Sequence, residues 1–402
     1  MTKKIMAIGI AVTMLFAVLG FAGCNRSTQD VFAWYEGLNG DGPLMLVMNA
    51  GDTLTITDRH FRDTTIKFES FRLESREETR EDVVSIRGNV ITAVNTGYTR
   101  VVALLHQGRQ VIAGQRTRQV WGISVAFIYV YDESTMTHIT TAEELAGINN
   151  NLDGHFILMA DIDLGNWGEW KSIGGNAPYG ASWRDFIFRG MFVNPHGYTI
   201  KNLTVTTSET KSGDIAFGLF GDVSRNALIS GIILEDVFID VSDFEGHISR
   251  APQVGGIAVS VAPEAMIFNC FVSGVIIGGG YVTGGIVGTN GGSIVNCTFK
   301  GTLKVDKLSA THNIISIGGI VGYNGTGSLS IGGIRGCRVY AIICGGETAA
   351  AGGIIGFQPM RAAMTYCSAF DGSVSGRFAG TMIGRARLGL STGWEDWGSI
   401  DF

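Results

Sequence analysis

The stretch Gly284-Gly285-Ile286-Val287-Gly288-Thr289-Asn290, followed by Ile294-Val295-Asn296-Cys297, decides the fold of this chain. Both halves recur. The first half returns as Gly255-Gly256-Ile257-Ala258-Val259, Gly318-Gly319-Ile320-Val321-Gly322 and Gly352-Gly353-Ile354-Ile355-Gly356. The second returns as Ile267-Phe268-Asn269-Cys270, Ile334-Arg335-Gly336-Cys337 and Met364-Thr365-Tyr366-Cys367. The glycine pairs begin at 255, 284, 318 and 352, so successive copies lie 29, 34 and 34 residues apart. Degenerate copies flank them, Phe217-Gly218-Leu219-Phe220-Gly221 before and Gly380-Thr381-Met382-Ile383-Gly384 after. A period of this length marks a unit that cannot hide its apolar face alone and stacks on its neighbours.

Each unit has room for about three short β runs joined by turns. That suits one coil of a parallel β-helix better than a propeller blade, which needs four strands and about 40–45 residues. In such a stack the Ile and Val side chains point inward and form ladders, one step of about 4.8 Å per coil. The glycine pairs are expected at corners, where they would turn the backbone at positive φ and let coils approach closely. About eight coils would make a rod roughly 35–40 Å long.

Ahead of the copies, Thr140-Thr141-Ala142-Glu143-Glu144-Leu145 predicts a helix start. Thr141 and Glu144 have the spacing of a capping box. Leu145 and Ile148 share one face of the helix, and that face is expected to plug the open end of the stack.

The phrase Gly-Gly-Ile-Val-Gly-x-Asn followed by Ile-x-Asn-Cys resembles the GLUG repeat of bacterial surface proteins. The lead-in is similar too: Ile139 to Leu145, Ala160-Asp161-Ile162-Asp163-Leu164, Ile173-Gly174, Phe188-Arg189-Gly190 and Gly197-Tyr198-Thr199-Ile200-Lys201-Asn202-Leu203. The resemblance covers about residues 139–385. It implies an all-β chain built on a right-handed parallel β-helix in a surface or secreted protein. Some members of that group carry such repeats beside an IgA-specific zinc protease domain. The H-E-x-x-H motif of that domain does not occur here, so the activity does not carry over.

Residues 44–133 read differently, as short β-rich runs separated at the spacing of a sandwich. The phrase Ile91-Thr92-Ala93, then Gly97-Tyr98-Thr99-Arg100-Val101, resembles the hairpin fingerprint of the bacterial Ig-like (group 2) domain of intimin and invasin type. The resemblance implies a small Ig-like β-sandwich. The mixed-sign run from Arg72 to Asp82 is read as a solvated loop.

The first 23 residues have the layout of a secretory signal. Lys3 and Lys4 precede an apolar stretch, Ile5 to Phe21, and small residues lead to Cys24. This resembles a bacterial lipoprotein signal, which implies lipid attachment at Cys24, anchoring to a membrane and a place in the cell envelope. Residues 24–43 then read as a tether, 139–390 as the β-helix, and 391–402 as a tail or cap. Removing Lys3 and Lys4 takes the formal charge from −6 to −8, which argues against nucleic acid as a partner. Gly supplies 58 of 402 residues and Pro only 6, a balance that favours tight turns over disorder.

Candidate chemistry is sparse. Cys270, Cys297, Cys337 and Cys367 are expected in one column. Four side chains in a column span about 14 Å, too far to share one metal ion. Parallel side chains one step apart also sit wider than disulfide geometry requires. Small buried hydrophobes filling a column is the preferred reading. Besides Cys24 the chain has five cysteines, an odd number that does not fit a disulfide scaffold.

Asp161 and Asp163 lie two apart on an expected strand and so share a face. Paired carboxylates suit calcium binding or a polysaccharide lyase or glycosidase, but their place in the lead-in favours a structural role. Gly389-Leu390-Ser391-Thr392-Gly393 spells a nucleophile elbow without the α/β context or a following His that the motif needs. The seven histidines have no metal-ligand spacing, and only His155 and His196 fall near the Asp pair. Trp167, Trp170, Tyr179 and Trp183 cluster at one end of the array, and Trp394 and Trp397 at the other. Such aromatics either cap the stack or contact sugars, and capping is preferred. No cofactor is implied. The expected function is a non-catalytic adhesin-like or structural module with a glycan or protein ligand. The alternative is a polysaccharide-active enzyme.

Overall fold

The structure is a computed structural model that describes residues 44–55, 66–73, 82–107, 111–112, 115–116, 120–175, 182–207, 216–244, 252–279, 281–305, 315–325, 333–347, 349–358, 365–366 and 369–386. The expected signal, Cys24 and the tether lie outside these residues. So do Tyr179, Cys367, the Gly389–Gly393 phrase, Trp394 and Trp397. Two compact units divide most of the chain at about residue 134.

In the first unit a four-stranded sheet places Leu44–Asn49 parallel to Val120–Tyr131, which runs antiparallel to Gly97–Gln107, itself antiparallel to Ile66–Leu73. A three-stranded antiparallel sheet joins Thr53–Thr55, Val90–Ala93 and Val84–Arg87. The last two form a tight hairpin because Gly88 adopts a φ of +60°. Ile91, Ala93, Thr99 and Val101 are all buried, so these side chains of the hairpin phrase point inward.

Among the described residues the second unit is all-β with one short α-helix, and every strand pair in it is parallel. Its strands form four stacked sheets. One has eight strands, from Thr137–Ile139 to Thr365–Tyr366. The second contains the longest strands, among them Ile233–Asp240, Phe271–Gly278, Thr298–Val305 and Arg338–Cys344. The other two have six strands each. One coil therefore runs Gln253–Gly255, Ala258–Val261, Met266–Phe268, Phe271–Gly278, and then climbs to Val282–Gly284. From Ala216 to Ser375 each coil holds four strands, not the three expected. The reason is that two of the corners are only two residues long, Gly256-Ile257 and Asn269-Cys270, so a single apolar run is bent into two strands.

The ladders are in register. Ile257, Ile286, Ile320 and Ile354 are fully buried, and the backbone N–H of each of the first three donates to the carbonyl of the next, at 2.9, 3.1 and 3.0 Å. They belong to one continuous core that runs from Ile139 to Ile355. Parallel pairing satisfies the backbone groups between coils, and burial of these columns supplies the driving force.

The glycine pairs work differently from expectation. Gly255, Gly284, Gly318 and Gly352 are strand residues paired with one another, and neither member of any pair lies in the left-handed region. The second member leaves a gap that an inward side chain of the long-strand sheet fills. A Cβ on Gly256, Gly285, Gly319 or Gly353 would lie 2.5–2.9 Å from Val272, Phe299, Val339 or Phe370 respectively. The left-handed corners are elsewhere: Asn269 (φ 55°), Asn296 (φ 53°) and Gly336 (φ 61°), each just before a cysteine of the column. Asn tolerates this backbone better than other residues with a Cβ, which explains the Asn-Cys spelling.

The helix Ala142–Gly147 begins with the expected capping box: Thr141 accepts from the Glu144 backbone, and the Glu144 carboxylate accepts from the Thr141 backbone. Leu145 and Ile148 are buried in the common core at the first coils.

Candidate functional site

Cys270, Cys297 and Cys337 stack behind the left-handed corners, buried and unoxidised. Each thiol is near a backbone carbonyl 3.4 Å away, on Phe268, Val295 and Arg335 respectively. Burial, reinforced by the neighbouring cysteine, pushes the Cys297 and Cys337 thiols well above their ordinary range. They stay protonated, and a protonated thiol is neither a nucleophile nor a metal ligand. Cys344 stands apart, half-buried at the end of a long strand.

Asp161 and Asp163 flank the buried Ile162, both exposed on the same face. One oxygen of each, Oδ1, is engaged in structural bonds. Asp161 accepts from the Thr199 backbone at 2.7 Å, and Asp163 accepts from Asn202 Nδ2 at 2.7 Å and from the Gly165 backbone at 2.8 Å. The bonds from Asn202 and Gly165 hold Asp163 below the usual carboxylate range. Each aspartate thus ties the first coil to the next. Among the described residues, no group of three or more His, Cys, Asp or Glu side chains is placed to hold a metal ion. His155 and His196 are exposed. Trp170 is buried and its indole N–H donates to the Leu219 carbonyl at 3.1 Å, while Trp167 beside it is partly exposed.

Two features were not foreseen. One is an amide ladder. Asn290 and Asn324 are fully buried in successive coils, Asn290 Nδ2 donates to Asn324 Oδ1 at 3.0 Å, and Asn290 Oδ1 accepts from the Gly292 backbone. The recurring Gly-x-Asn after the glycine pair was its signal in the sequence.

The other is the outer face of the long-strand sheet. Of the six exposed large hydrophobic side chains among the described residues, four lie there: Phe238, Val275, Tyr340 and Ile342. Phe238, Val275, Thr302 and Ile342 form one outward column, with Ser373 next. Tyr340 belongs to a second column with Ser273, Lys300 and Asp371. The strands bend at Gly274 and Gly301 (φ 146° and 148°), where a Cβ would strike the backbone of the coil below. The apolar side chains form two neighbouring pairs, Phe238 with Val275 and Tyr340 with Ile342, separated by Lys300 and Thr302.

Residues 279–304 match the family described as "The GLUG motif". The match spans one coil from Val282–Gly284 into Thr298–Val305. No curated protein sequence matches the chain. Among solved structures it is similar to a chain named "IgA1 Protease", at 12% identity and a TM-score of 0.36, over 86% of this chain and 29% of that one.

Proposed function

We propose that this chain is a lipid-anchored, non-catalytic binding module of the cell envelope. Cys24 is the lipidated residue, residues 44–133 form an Ig-like domain of the bacterial type, and the stacked coils form a right-handed parallel β-helix. The outer face of the long-strand sheet is the contact surface. One observation carries this reading. Asp161 and Asp163 each accept structural bonds through Oδ1 and the cysteine column is buried, while Phe238, Val275, Tyr340 and Ile342 stand exposed on a single face. Apolar exposure of that kind costs solubility and is kept where a partner covers it.

The test is a glycan and matrix-protein array probed with the chain starting after Cys24. Binding that disappears with Val275→Glu or Ile342→Glu supports the reading. Polysaccharide depolymerisation that is lost in Asp161→Ala or Asp163→Ala overturns it in favour of an enzyme. Placement has its own check: incorporation of a fatty-acid probe is expected in the full chain and absent in Cys24→Ala.

A further inference from the structure

Three adjacent strands of the outer face differ in charge. Ile233–Asp240 presents Glu235, Asp236, Phe238 and Asp240. Phe271–Gly278 presents Ser273, Val275 and Ile277, with no charge. Thr298–Val305 presents Lys300, Thr302 and Lys304. The registers align them in columns. Ile277 lies between Asp240 and Lys304, and Val275 lies between Phe238 and Thr302. Ser273 lies beside Lys300 on one side and beside the bulge between Leu234 and Val237 on the other, where Glu235 and Asp236 both sit. Acids and lysines thus occupy matching places about 4.8 Å to either side of a neutral strip.

Two copies packed face to face are related by a two-fold axis lying in the plane between them. Take that axis parallel to the strand Phe271–Gly278. It exchanges the flanking strands and keeps position along them. Glu235 and Asp236 then face Lys300, Asp240 faces Lys304, Phe238 faces Thr302, and Ser273, Val275 and Ile277 face their own counterparts. Take the axis along the stack instead, and acids face acids while lysines face lysines. Like charges brought together at an interface are strongly disfavoured, so the charge pattern selects the first arrangement.

We propose that this face is a homodimer interface in which a second copy packs with its stack antiparallel to the first, the two-fold axis passing over Val275. The proposal rests on reading this face as the contact surface and names its occupant. Within one chain these acids and lysines stand two strand steps apart, about 9.6 Å, and two of the acids have other partners, Glu235 in Lys201 and Asp240 in Ser242. In the dimer they meet at the rim of an apolar centre. Phe238 and Val275, 42% and 37% exposed in the single chain, are covered. Glu235, which lies 3.4 Å from Lys201 of its own chain, is then shared between two cations.

Sedimentation velocity of the full chain in non-ionic detergent tests this. The wild type is expected to be dimeric. Lys300→Glu alone and Glu235→Lys alone are each expected to raise the dissociation constant at least tenfold. Mixing these two variants is expected to restore dimers, because each supplies the charge the other has lost. In a Cys344→Ser background, Ser273→Cys is expected to give an oxidation-dependent covalent dimer that the background chain does not give. A monomeric wild type overturns the proposal, as does a dimer indifferent to both charge variants. A monomer that still binds an array ligand through Val275 removes the homodimer and leaves the contact surface standing. A dimer with no array ligand removes the external partner instead.

Discussion

Asp222 offers a quantitative test of how the coils are packed. It lies on Phe220–Val223, in the outward column that continues through Ser260 and Thr289. Among the described residues no side chain or backbone donor is hydrogen-bonded to its carboxyl group. Burial alone pushes its pKa up from 3.8 to about 6. A group whose pKa is higher in the folded state holds its proton more tightly there than in the unfolded chain. Its contribution to stability is complete below about pH 4 and is lost as the pH rises through about 6. The difference corresponds to about 3 kcal/mol between the two ends of that window.

Asp222→Asn removes the ionisation and keeps the shape. At pH 3.5 the variant is expected to match the wild type. At pH 7 it is expected to be more stable, by up to about 3 kcal/mol. Urea unfolding followed by circular dichroism at pH 3.5, 5, 6 and 7 reads this directly, because subtracting the two proteins cancels every other titrating group. A difference that stays constant across the series, or a variant that is weaker at pH 7, refutes the claim that this carboxyl is desolvated by its neighbours.

Four further outcomes are expected. Ile286→Ala removes a side chain held between Ile257 and Ile320 and should cost about 2–5 kcal/mol in urea unfolding, whereas Val275→Ala on the outer face should stay within about 0.5 kcal/mol in the absence of a partner. Gly285→Ala places a methyl group 2.5 Å from the Phe299 ring and nearer still to the Gly319 carbonyl, so it should destabilise by about 3 kcal/mol or more and be partly rescued by Phe299→Leu. Cys270, Cys297 and Cys337 should resist a thiol reagent at pH 8 until denaturant is added, while half-buried Cys344 reacts in the native chain. Thr141→Ala should cost about 1 kcal/mol through loss of the helix cap and should leave the melting of the later coils unchanged.

The inner columns were legible in the sequence because every coil repeats them. Ile257, Ile286, Ile320 and Ile354 recur at the period of the coil, and a side chain that must meet its own counterpart above and below has little freedom to vary. The glycine pairs were legible as close approaches, but their backbone was misread. A Gly-Gly spelling fits either a left-handed corner or a missing Cβ, and only the position of Val272 and Phe299 opposite Gly256 and Gly285 separates the two. The left-handed role fell to Asn269 and Asn296, whose spelling also suits an ordinary turn. The number of strands per coil was underestimated for the same reason: a two-residue corner leaves no polar gap to see. Asp161 and Asp163 were found as a pair, but nothing local to them reveals that Thr199, some 38 positions on, donates to the first.

The outer face was invisible because it has no period. Its central column reads Phe238, Val275, Thr302, Ile342 and Ser373, five different residues at five equivalent places. Within the single strand Thr298–Val305 the contrast is plain. Phe299, Leu303 and Val305 point inward and are buried, while Lys300, Thr302 and Lys304 point outward. A change at an inner place costs several kcal/mol, and a change at an outer place costs almost nothing to the isolated fold. Stability therefore holds the inner residues alike from coil to coil and leaves the outer ones to be set by whatever they touch. Exposed phenylalanine, valine, isoleucine and tyrosine on such a face have no packing reason to be there. An acidic strand and a lysine-bearing strand lie symmetrically about a neutral one, and of their charges Glu235 has an in-chain ion-pair partner, Lys201. Both departures fall on neighbouring strands of one sheet, and the place to look for what this molecule does is the face on which the repeat fails.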